Sequence, residues 1–130
     1  MFGFLRKGVF VLTLMLAFNS YAQANEQNQF LQCREDKISF DINKIDDAGR
    51  LTGSTLVYEF CISDQESYLN EVKTIAPTVN CFRGSSGHSG CSSDTQYLCT
   101  NGADHKGFKS VLCRLSGLTY VKQINLCDFE

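Results

Sequence analysis

His88 and His105 are the only two imidazoles in the chain, and imidazole is the side chain that most readily takes and gives protons near neutral pH. A secreted nuclease of the two-histidine kind needs one imidazole to deprotonate a 2′-hydroxyl. It needs another to protonate the leaving oxygen, and a cation beside the phosphorane. Arg83 and Lys106 are of the right type for the cation, and Asp94 or Asp104 could orient a ring. A small ribonuclease-like hydrolase using His88 and His105 is therefore the enzymatic alternative for this chain. Against it stand the expected occurrence of two histidines in a domain of this size and the chain's excess of acidic side chains.

Other chemistry finds less support. Ser85-Ser86-Gly87-His88-Ser89-Gly90 contains nucleophile and base types, but no G-x-S-x-G or other strained-nucleophile signature is present. Gly84, Gly87 and Gly90 are not followed by Lys-Ser/Thr, so they do not form a phosphate-cradling loop. No C-x-x-C pair offers the close-set ligands of a structural zinc site. No metal and no cofactor is expected.

The cysteines carry more information. Cys33, Cys61, Cys81, Cys91, Cys99, Cys113 and Cys127 all lie downstream of a leader with basic Arg6 and Lys7, an apolar run from Gly8 to Phe18, and small Ala22 and Ala24. That leader reads as a secretory signal, residues 1–24, with the mature protein beginning at Asn25. The run is too short to span a bilayer, which takes about 20 residues, and position 25 is not the cysteine of a lipoprotein. An exported chain meets an oxidising compartment, where thiols cross-link and hold small domains together. Residues 25–130 therefore read as a single disulfide-stapled domain, periplasmic or secreted, with no membrane anchor.

Seven is odd, so three bridges leave one thiol over, and the pairing is open among roughly 105 arrangements. Cys81 with Cys91 would close a short surface loop, although Cys91 with Cys99 closes one of similar size. Cys113 with Cys127 is disfavoured if the two sit on a regular terminal hairpin. The odd cysteine is a buried small hydrophobe, a link between two chains, or a reactive thiol, which makes the protein a monomer or a covalent dimer.

Without the leader, ten Lys and Arg face fourteen Asp and Glu, a net charge of about −4. No basic block is present, so attraction to nucleic acid or an anionic membrane has no source, and neither is an expected partner.

These residues must be positioned by regular elements. Ile38, Phe40 and Ile42 alternate with polar residues as in a half-buried strand, and Asp46 to Gly49 supply turn chemistry. Leu56, Tyr58, Phe60 and Ile62 form one face of a second strand, with Val57, Glu59 and Cys61 on the other. The two runs are expected to pair as a hairpin. Ser63 and Glu66 have capping-box spacing, and Tyr68, Leu69, Val72, Ile75 and Ala76 recur at helical spacing up to Pro77, which predicts a helix over 64–76. Thr78–Phe82 suits another strand. Arg83–Thr95, rich in glycine and serine, must run over the surface. Tyr97–Cys99 suits a short edge segment, Thr100–Gly107 a second loop, and Ser110–Leu115 with Leu118–Leu126 a hairpin around Ser116-Gly117.

The fold class expected is α+β: a small disulfide-rich domain with an antiparallel sheet of four or five strands and one helix. The function expected is non-enzymatic binding of a protein partner, as an inhibitor or immunity-type blocker of an extracytoplasmic hydrolase or toxin. The 83–90 loop, with Arg83, Gly84 and His88, would make the contact.

Overall fold

The computed structural model describes residues 33–127. The leader, the Asn25 start and residues 25–32 lie outside them.

The fold is a small disulfide-rich α+β domain. β1 (Arg50–Leu51) and β2 (Ser54–Thr55) form a two-stranded hairpin. β3 (Val57–Ser63), β4 (Asn80–Phe82), β5 (Gln96–Gly102) and β6 (Ile124–Leu126) form a four-stranded antiparallel sheet in the order β4-β5-β3-β6. Two helices, α1 (Glu66–Ile75) and α2 (Phe108–Ser116), complete it.

β3 is the organising strand because its apolar side chains alternate onto one face. Tyr58, Phe60 and Ile62 are fully buried and share one face with Cys99 and with Val72, Ile75, Leu112 and Leu115 of the helices in a single apolar core. Its register with β5 sets Tyr58 opposite Asn101, Phe60 opposite Cys99 and Cys61 opposite Leu98. Because the pleat has a period of two, Glu59, Cys61 and Leu98 point to the other face of the sheet.

Several local expectations give way to competing interactions. The strand expected at 38–42 is broken into 3-10 turns at Glu35–Lys37 and Ile42–Lys44, because the Asp41 side chain accepts the Asn43 N–H and closes a local turn. Only Ile38 joins the sheet, through a parallel bridge to Ile124. The hairpin between 38–42 and β3 therefore does not form; β3 pairs with β5 and β6 instead. The turn at 46–49 is present, with Asp46 Oδ1 accepting from Ala48 and Arg50 N–H groups.

The α1 stripe of Val72 and Ile75 is core as expected, but the helix starts at Glu66 and no side chain caps it. Ser63 is still in β3, paired with Gln96, and so cannot turn to the helix start. Tyr97–Cys99 belongs to an interior strand, not an edge, because β5 runs on through Gly102 between β4 and β3.

The largest correction is at 108–116. Phe108, Leu112 and Leu115 are buried at helical spacing on α2 where a hairpin strand was expected, and Ser116-Gly117 ends the helix instead of turning a hairpin. The Gly117 N–H reaches the Cys113 and Arg114 carbonyls.

Three bridges form, Cys33–Cys113, Cys61–Cys91 and Cys81–Cys99, and Cys127 is free. Cys81 pairs with Cys99 and not Cys91, because the β4·β5 register sets the two directly opposite each other. Cys33–Cys113 ties the start of the described chain to α2, where buried Ser116 Oγ also accepts the Arg34 N–H at 3.0 Å. Three bridges fit an extracellular or secreted protein. Among the described residues no helix is long and apolar enough to cross a membrane.

Candidate functional site

The loop between β4 and β5 has almost no apolar side chains, so hydrophobic burial cannot hold it. Three other attachments do. The first is covalent: Cys91, itself buried, is bonded to Cys61 on the outward face of β3.

The second is a carboxylate. Glu59, only 2 % exposed in the middle of β3, accepts the backbone N–H groups of His88 at 3.2 Å and Ser89 at 3.3 Å, and the Ser89 hydroxyl at 3.1 Å. Asn125 of β6, opposite Glu59 in the ladder, donates its amide to Ser89 Oγ at 3.0 Å. Gly87 stands at φ +57°, and a Cβ there would lie 2.2 Å from Glu59 Oε2 and 2.9 Å from the Leu98 methyls. Only glycine lets the chain pass so close to the carboxylate. The free Cys127, whose N–H bonds the Val57 carbonyl two residues along β3 from Glu59, is pushed up to about 11, by burial first and then by the charge of Glu59.

The third attachment is Arg83. Its guanidinium bonds the Asp64 carboxylate at 2.5 Å and the Asp94 carbonyl at 2.8 Å, and lies 5.8 Å from the centre of the Tyr97 ring. The Asp64 carboxylate also holds the Tyr97 phenol above its ordinary value. Half of the Arg83 side chain remains exposed. Next to it Phe82, at 43 %, is the one exposed large hydrophobic side chain among the described residues.

The residues singled out in the sequence thus divide. Arg83, Gly84 and His88 lie on the exposed side of one loop, Gly84 with open space around its Cα. The two imidazoles have different surroundings. His88 contributes its backbone N–H to Glu59, whereas His105 follows β5 with Nδ1 3.3 Å from the Lys106 carbonyl and a buried Nε2 that has no partner. No hydrogen bond or common partner joins the rings, and among the described residues no three His, Cys, Asp or Glu side chains converge as metal ligands.

Sequence reasoning missed Glu59, Ser89, Asn125 and Phe82. Glu59 reads as solvent-facing from its position between Val57 and Cys61, and what buries it comes some thirty residues later. The Cys61–Cys91 bond was the feature that could have revealed the cover, but pairings are not readable from spacing.

No protein-family model matches the chain, and no curated protein or solved structure matches it either.

Proposed function

We propose that this is a periplasmic or secreted protein that acts by binding and not by catalysis, presenting the 83–90 loop to a protein partner. A blocker of an extracytoplasmic hydrolase or toxin would use such a surface. The observation that carries this reading is the corner formed by exposed Phe82 and half-exposed Arg83 at the base of a restrained loop. Aromatic residues and arginine are the side chains enriched among interface hot spots. Asp64 and the Asp94 carbonyl already fix the guanidinium, and the Cys61–Cys91 bridge with Glu59 fixes the loop. Docking then orders few additional rotors, which is where association loses much of its free energy. Gly84 allows close backbone approach, and His88 is exposed to add a polar contact.

The test is capture from the native envelope or culture fraction with the oxidised mature protein, followed by measured affinities for the captured species. Arg83→Ala and Phe82→Ala should each weaken binding by about 2 kcal/mol, roughly thirtyfold, and His88→Ala by less. Affinity untouched by Arg83→Ala and Phe82→Ala, together with a hydrolytic activity lost in His88→Ala or His105→Ala, would replace the binding reading by the enzymatic one.

A further inference from the structure

Glu59 is the one buried carboxylate among the described residues, and it occupies a costly place. It stands at the centre of a strand with neighbours on both sides, where a branched or aromatic side chain would bury apolar area without desolvating a charge. No cation compensates it: the ion pairs among the described residues are Arg34–Asp36 and Arg83–Asp64. Its donors come from the loop, namely the His88 and Ser89 N–H groups and the Ser89 hydroxyl, with Asn125 bracing the last. Gly87 fits against the same oxygen.

Stability alone does not call for this arrangement, since a buried polar cluster is generally no better than an apolar one of the same volume. What a carboxylate supplies, and a leucine cannot, is direction: two oxygens fix two successive N–H groups of a loop that has no apolar anchor. We propose that Glu59 is the positioning residue of the 83–90 loop, holding Gly87–Ser89 in the shape that is presented to the partner. The purpose of the shape rests on the binding reading; the positioning itself does not.

The experiment is amide hydrogen exchange on the oxidised protein carrying Glu59→Gln. Glutamine keeps the size and one acceptor but turns an NH2 toward the Ser89 donors. The His88 and Ser89 amides should exchange at least about tenfold faster, while those of Phe60 and Cys99 in the centre of the sheet keep their rates. A merely structural loss would accelerate the whole sheet together. Unchanged rates at His88 and Ser89, or uniform acceleration that includes Phe60, overturns the proposal. If Glu59→Gln does not fold, Glu59→Asp, which keeps the charge but draws the oxygens back from the loop, carries the same expectation for the His88 and Ser89 amides. Failure of the binding reading would appear in the affinity of Arg83→Ala and leave these exchange rates as they are.

Discussion

Asn101 and Tyr58 face each other across β5 and β3, and the Asn101 amide donates to the Tyr58 hydroxyl at 2.9 Å inside the core. Thr78 completes the chain by donating its hydroxyl to Asn101 Oδ1 at 2.8 Å. This network is why a strand as polar as Thr100-Asn101-Gly102 can run through the interior of the sheet: each buried polar atom it brings has a partner.

Tyr58→Phe is therefore expected to cost about 1–3 kcal/mol at neutral pH, since it leaves the Asn101 amide without its acceptor. The same residue governs alkaline stability. Burial first, opposed by the Asn101 bond, raises Tyr58 from 10.0 to about 12. The unfolded chain thus loses this proton at lower pH than the folded one. The contribution is fully present below pH 10 and is lost as pH rises from there toward 12, at a slope of about 1.4 kcal/mol per pH unit. Urea melts between pH 7 and 11 should show this slope in the unaltered protein and lose it in Tyr58→Phe.

Gly84 and Gly87 both have positive φ, +85° and +57°, but only Gly87 has atoms in the way of a side chain. Gly84→Ala should cost about 1 kcal/mol, the backbone penalty alone. Gly87→Ala adds collision with Glu59 and Leu98 and should cost about 2 kcal/mol more. Equal losses in denaturant melts would mean that the loop does not sit on Glu59.

Val72 is fully buried in the core and Ser63 is an exposed strand residue making no cap. Val72→Ala should cost about 2 kcal/mol, whereas Ser63→Ala should stay within about 0.5 kcal/mol. A larger effect of Ser63→Ala would put the helix start back at the capping box.

The contrast between those two positions shows how far the sequence could be read. The apolar face of Tyr58, Phe60 and Ile62 and the helical stripe ending before Pro77 depend on local pattern, and both are buried as expected. Phe108, Leu112 and Leu115 carry an equally regular period, but Ser116-Gly117 serves a helix end as well as a hairpin, and the ambiguity went the wrong way. The strand lost at Asp41 turned on one side-chain hydrogen bond. Arg83 and His88 could be placed on a surface loop from composition. Glu59 could not be placed beneath it, because a charged residue on a strand becomes buried only through a segment far along the chain, and nothing local records that contact.

Cys127 carries the last prediction. Its thiol lies partly buried against Glu59 and is raised to about 11, by desolvation first and by the carboxylate second. At pH 8 an ordinary thiol near 8.5 is about a quarter ionised, whereas one near 11 is about one part in a thousand ionised. The greater intrinsic nucleophilicity of the more basic thiolate returns about a factor of ten of that difference. Reaction with an aromatic disulfide reagent should thus run about twentyfold slower than for free cysteine at pH 8, and its rate should climb nearly tenfold per pH unit from 7 to 9.5 without levelling. Alkylation counts on the native oxidised protein should find one thiol, and all seven after unfolding and reduction. A rate that levels near pH 8.5 would mean that the Cys127 thiol is neither buried nor beside Glu59, and a native protein with no free thiol would make this cysteine the link between two chains.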